Sequence, residues 1–212
     1  MTVQLPEKVL PAVITQRMPR LPAQKRAWPV QGKWTYKDYR RLPDDGMRYE
    51  IIKGVLHMTP APSFDHQYIS GEIYSALRAF VREHQLGLVL TAPFEVRLPD
   101  EGSVVQPDLL FIAAGREPSS GDQAFSGTPD LVIEILSPST TRTDRVVKFS
   151  LYEQAGVREY WLVSPTARTV EVYTLSEDRF YDLHGEFITD SDLSSPLLSE
   201  LTLHVGDLFP QN

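Results

Sequence analysis

Two acids stand where the sequence is otherwise most apolar. Glu134 lies inside Leu131-Val132-Ile133-Glu134-Ile135-Leu136, apolar at every other position, as in a strand covered on both faces. A carboxylate there costs several kcal/mol unless it is ion-paired or binds a metal. Arg142 or Arg145 could supply the ion pair. Asp108 sits in Val104-Val105-Gln106-Pro107-Asp108-Leu109-Leu110-Phe111-Ile112, again an acid within a strand-like run; taken alone, it could simply end a strand. If the two runs are neighbours, the carboxylates can face each other. At about 4 Å and an effective dielectric near 20 they would repel by roughly 4 kcal/mol. Something positive must then lie between them. Two hard oxygen ligands in a chain without cysteine describe a Mg²⁺ or Mn²⁺ site.

Lys148 falls four residues after Asp144, in the segment following the Glu134 run. That spacing makes either a helical ion pair worth a few tenths of a kcal/mol or an ammonium aimed at the metal site, where it would stabilise a pentavalent phosphate. Glu50 and His66 form an outer tier able to orient a water or contact a phosphate, although a lone histidine is more often structural. His57, His84, His184 and His204 show no metal-ligand spacing, and there is no H-E-x-x-H, Gly-rich phosphate loop or G-x-S-x-G elbow. The absence of cysteine excludes disulfides, thiolate zinc sites and cysteine nucleophiles.

The elements that would position these groups can be read in outline. Thr35 can cap a short helix over residues 37–42, before a turn at Pro43-Asp44-Asp45-Gly46. Residues 48–58 read as a hairpin turning at Lys53-Gly54. The recurrence of Ile69, Ile73, Leu77 and Val81 predicts a helix over residues 63–85, stopped by Gly87. Strands are expected at residues 88–98, 104–112 and 131–136, with a polar loop at 115–128. A helix over 144–155 ends at Gly156, and residues 160–163 and 170–175 pair as a hairpin. Weaker strands follow, with residues 201–203 closing the sheet edge. Strand runs separated by one crossover helix suggest a mixed α/β sheet.

Charge is unevenly spread. Residues 1–42 carry nine Lys/Arg against Glu7 and Asp38, so they hold +7 while the rest of the chain holds −14. An acidic body repels nucleic acid at long range, so any such binding must come from local basic features. Five prolines in residues 1–32 resist regular structure, and residues 1–33 are expected to be an extended basic arm ahead of one domain over 34–212. No apolar run suits a signal peptide or a membrane span, which leads to the expectation of a cytoplasmic protein.

Read together, the run Tyr49-Glu50-Ile51-Ile52-Lys53-Gly54, then His66, Gln106-Pro107-Asp108, Asp130 through Glu134 to Ser137-Pro138-Ser139-Thr140, Asp144, Lys148, Tyr152 and Gly156-Val157-Arg158-Glu159-Tyr160-Trp161 resembles the Uma2 family over roughly residues 34–175. These are restriction-endonuclease-like proteins of the PD-(D/E)XK superfamily. The resemblance implies an α-β-β-β-α-β core and a central mixed sheet flanked by helices. It implies that Asp108 and Glu134 are metal ligands, with the carbonyl of Ile135 a third. The superfamily's lysine falls two residues after the acid; here that position is Leu136, and Lys148 is the implied substitute.

The expected function is therefore Mg²⁺- or Mn²⁺-dependent hydrolysis of nucleic acid phosphodiesters, with DNA as substrate and, by analogy, a homodimer as the active unit. A nuclease fold retained only for binding nucleic acid or protein is the alternative. A two-carboxylate glycoside hydrolase is the third, weakened by the apolar setting of Glu134.

Overall fold

The computed structural model describes residues 27–99 and 102–211. Residues 1–26 of the expected arm lie outside them.

Apolar alternation builds two sheets. The first hairpin, β1 (Arg48–Ile52) and β2 (Val55–Thr59), follows a single helical turn, α1 (Tyr36–Tyr39), capped by Thr35. Helix α2 (Phe64–Glu83) is capped by the Ser63 side chain and buries Ile69, Ile73, Leu77 and Val81 along one stripe. Gln85, in the left-handed region at φ 54°, ends the helix two residues before Gly87. Gly87 instead opens β3 (Gly87–Thr91), where a Cβ would stand 2.1 Å from the Ile112 carbonyl oxygen.

The chain then does something the apolar runs do not announce. The run at residues 88–98 divides into β3 and β4 (Glu95–Arg97), and that at 104–112 into β5 (Val104–Val105) and β6 (Leu109–Ala113). Strands β4 and β5 belong to a five-stranded sheet ordered β2-β1-β5-β4-β7, with β7 (Ala124–Ser126) formed inside the expected polar loop. Strands β3 and β6 belong to a six-stranded sheet ordered β11-β10-β9-β8-β6-β3. Its other members are β8 (Leu131–Ile135), β9 (Glu159–Ser164), β10 (Thr169–Leu175) and β11 (Tyr181–Ile188). Pro107 marks the crossing from one sheet to the other, since proline has no amide to continue a ladder.

A π-helical turn (Thr143–Lys148) leads into α3 (Phe149–Ala155), ended by Gly156 at φ 85°. The β8–α3–β9 unit makes β8 and β9 parallel, whereas β6 and β8 are antiparallel. Residues 201–203 do not close the main sheet: β13 (Thr202–His204) pairs only with β12 (Asp192–Ser194).

Both faces of the six-stranded sheet are covered, which explains its unbroken apolar runs. The stripe of α2 packs on Phe111, Leu131, Ile133 and Trp161. The opposite face, with Leu110, Val132 and Leu162, receives Leu151 and Tyr152 of α3. A smaller cluster under the first hairpin gathers Trp34, Tyr39, Ile51 and Leu56. Residues 27–33, expected to belong to the arm, pack on this hairpin: Trp28 stacks on Trp34 at 5.5 Å. The Gln31 side-chain amide donates to the Leu56 carbonyl and accepts from its N–H, at 3.0 and 2.8 Å.

Candidate carboxylate–lysine site

The register Leu109↔Ile133 puts Asp108 opposite Glu134, one step beyond the last paired residues of β6 and β8. Asp108 thus lies where the chain enters the six-stranded sheet, and Glu134 where β8 is about to leave it. The Ile135 amide crosses the gap, donating to Asp108 Oδ2 at 2.9 Å. The main chain of Ile135, expected to offer its carbonyl to a metal, meets Asp108 through its N–H.

Asp108 is buried and held by two side chains. Arg48 Nη1 meets Oδ1 at 2.5 Å, and His66 Nε2 meets Oδ2 at 2.9 Å. Burial pushes the Asp108 carboxyl up, but the hydrogen bond and charge of His66 and the Arg48 guanidinium outweigh it and hold it down at about 2. His66 reaches Asp108 from the first turn of α2; its Nδ1 is buried without a hydrogen-bond partner among the described residues.

Glu134 is held on one oxygen. Lys148 Nζ and the Tyr152 hydroxyl donate to Oε1 at 2.9 and 2.8 Å. The π-helical turn directs Lys148 inward while Val146 stays exposed. Lys148 meets Glu134 at 2.9 Å, Glu50 Oε2 at 3.0 Å and Asp144 Oδ1 at 3.7 Å. Glu50 is fixed in turn by the Gln106 backbone N–H, which donates to its Oε1 at 2.7 Å. The Glu134 ion pair is therefore made by Lys148; Arg145 binds Glu171 on β10 instead.

Four buried carboxylates (Glu50, Asp108, Glu134, Asp144) face one buried ammonium and one guanidinium. The imbalance bears on Glu134 and Asp144. Burial, and then the neighbouring acids, raise Glu134 well above the carboxylate range despite the opposing pull of Lys148. Burial likewise raises Asp144 to about 6, against Lys148 and a hydrogen bond from Thr140. For Lys148, burial alone would favour the neutral amine, but the charges of Glu134, Glu50 and Asp144 overcome it and keep it protonated.

Such a cluster is short of positive charge, and its carboxylates are hard oxygen donors of the kind that Mg²⁺ and Mn²⁺ take. Among the described residues, no group of three or more His, Asp or Glu is arranged to hold an ion unaided. Two hollows of about 510 and 400 Å³ lie elsewhere, one along Tyr74, Arg78 and Leu88, the other around Arg116 and Phe125. The carboxylates face neither.

The structure brings together all six residues expected at the site: Asp108, Glu134, Ile135, Lys148, Glu50 and His66. Sequence reasoning missed Arg48 and gave Tyr152 no role. The alternation of β1, which puts Arg48 and Glu50 on one face, was the available signal for Arg48.

Comparison with known proteins points the same way. A family model, Uma2, described as "Putative restriction endonuclease", matches residues 36–206. An uncharacterized protein of Synechocystis sp. (strain PCC 6803) is 26% identical over 130 residues, covering 53% of this chain and 67% of that protein. A crystal structure of a DUF820 protein from Anabaena variabilis ATCC 29413, described as a "putative nuclease", superposes with a TM-score of 0.70 at 24% identity. The match covers 83% of this chain and 97% of the other. At that identity the likeness is one of fold.

Proposed function

The chain belongs to the Uma2 family, and from that premise we propose that it is a metal-dependent nuclease that hydrolyses phosphodiesters of DNA. The observation that carries this reading is the pairing of Asp108 with Glu134 across adjacent strands, with Lys148 on the second carboxylate. Asp108 and Glu134 would hold one Mg²⁺ or Mn²⁺. When bound, the ion would lower the pKa of a water and neutralise charge on the phosphate.

The chain's own residues have separable tasks. His66 and Arg48 keep Asp108 ionised. Lys148 and Tyr152 fix Glu134, and the Lys148 charge would help to stabilise a pentavalent phosphate at the site. Glu50 anchors Lys148 from the other sheet. In the net reaction the water oxygen bonds phosphorus, the P–O ester bond breaks, and a proton from water ends on the departing oxygen. Two strands need two such sites, so a homodimer is the proposed active unit.

Calorimetric titration of Mn²⁺ into the parent and Glu134→Ala, followed by incubation with DNA, tests the reading. Binding that disappears in the variant, with cleavage by the parent alone, is the expected result. A parent that binds no Mn²⁺ would make Glu134 a structural partner of Lys148. A parent that binds Mn²⁺ without cleaving would favour a binding module, a reading supported by the donors already occupying both oxygens of Asp108.

A further inference from the structure

We propose that Arg48 is the residue that contacts the scissile phosphate, a role distinct from the charge supplied by Lys148. The inference rests on the metal-site reading of Asp108 and Glu134 and deepens it.

Lys148 has its donors engaged. An ammonium has three N–H groups, and three carboxylates lie within 4 Å of Lys148 Nζ. The Lys148 side chain is 4% exposed. It has little left to offer a substrate. Arg48 differs on both points. Its side chain is 20% exposed, and among the described residues its hydrogen bonds, to Asp108 Oδ1 at 2.5 Å and the Gln106 carbonyl at 3.5 Å, use Nη1 alone. A guanidinium carries five donors in a rigid fork, so Nε and Nη2 are available for the planar, two-oxygen recognition that phosphate invites.

Arg48 is also well placed. A group hydrogen-bonded to a ligand carboxylate is within one further hydrogen bond of whatever else the ion holds, because the ion sits only ~2.1 Å from its carboxylate oxygens. The fork is also preorganised. Gln106 follows β5, Asp108 precedes β6, and Arg48 opens β1, so the guanidinium is aimed by two sheets at once. His66, the other side chain on Asp108, directs one ring nitrogen at the carboxylate and has no comparable fork.

Arg48→Gln and Arg48→Lys test the assignment by three measurements: Mn²⁺ affinity by calorimetry, anisotropy of a short fluorescent DNA duplex in Mn²⁺ before cleavage sets in, and single-turnover cleavage. Arg48→Gln is expected to keep Mn²⁺ affinity within about threefold while duplex affinity and the maximal cleavage rate each fall on the order of ten- to a hundredfold, the worth of a charge-assisted phosphate contact. Arg48→Lys keeps a cation beside Asp108 but cannot bridge it to a phosphate. It should bind Mn²⁺ normally and still lose about tenfold in cleavage, and it decides the matter if Arg48→Gln melts without cooperativity. If the variants bind duplex and cleave like the parent, Arg48 is only the counter-ion of Asp108. If Mn²⁺ affinity falls in step with cleavage, Arg48 acts by positioning Asp108 and the phosphate contact is wrong. A parent that binds no Mn²⁺ removes the metal-site reading and this proposal with it.

Discussion

Glu134, Lys148 and Tyr152 form a buried triplet in which each member answers the cost of another. Removing one exposes that cost. Lys148→Ala leaves Glu50, Glu134 and Asp144 close together with no ammonium, and loss of one partner of a buried pair typically costs about 3–5 kcal/mol. The expected outcome is a large fall in urea midpoint in EDTA, partly restored by Mn²⁺. An unchanged midpoint would mean that the cluster holds protons instead of charge. Titration offers a second check. Asp144 is raised to about 6 from a usual value near 3.8, so the folded state binds more protons than the unfolded one across that window. Metal-free protein should therefore lose stability as pH rises from about 4 to 6. Asp108, held down at about 2, contributes the opposite slope, its stability being lost as pH falls below about 4. Melting curves in EDTA and in Mn²⁺ across this range should diverge most at the upper end, where the excess carboxylate charge is greatest. Asp108 and Glu134 were legible in the sequence because acids inside apolar strands have few explanations. Arg48 and Tyr152 were harder to read, although the alternation of β1 puts Arg48 on the face of Glu50. An arginine beside a tyrosine in a hairpin, and a tyrosine on an amphipathic helix, are ordinary until a partner from a distant segment meets them.

At the scale of elements, the π-helical turn is what aims Lys148. Such a turn is an α-helix carrying one extra residue, and here the exposed Val146 lies within it. Deleting Val146 should restore α-helical winding and rotate Lys148 away from Glu134. A cooperatively folded protein without cleavage is the expected product; retained cleavage would show that the turn has no aiming role. The sequence announced a helix here but not its winding, since spacing alone does not separate hydrogen bonds to i−4 from those to i−5. The division of two strand runs between sheets was hidden for a related reason. Buried apolar residues such as Val96, Val105 and Leu110 lie on both sides of Pro93 and Pro107, so the apolar pattern runs on through the crossing and only the prolines interrupt it. That crossing brings Gln106 to Glu50 and Asp108 to Glu134, and so creates the site.

For the molecule as a whole, charge and packing separate the N-terminal stretch into two parts. No helix among the described residues is long and apolar enough to cross a membrane. Residues 27–34 pack on the first hairpin through Trp28, Gln31 and Trp34. Deleting residues 1–26 should leave the melting temperature unchanged but weaken and flatten the salt dependence of duplex binding, because it removes Lys8, Arg17, Arg20, Lys25 and Arg26 from an acidic chain. Extending the deletion through residue 34 also removes a buried tryptophan, at about 3–5 kcal/mol, and should lower the melting temperature clearly. Equal melting of the two truncations would contradict the packing.

The Gln31 amide has a consequence beyond holding its own segment in place. Strand β2 is the outer member of its sheet, and an outer strand offers unsatisfied backbone groups to any chain that can lie alongside. By occupying both groups of Leu56, Gln31 imitates one residue of a neighbouring strand and bars the register a second molecule would need. The side chain is in this sense a guard against sticking, and its loss should be felt at high protein concentration, as turbidity, before it is felt in the fold.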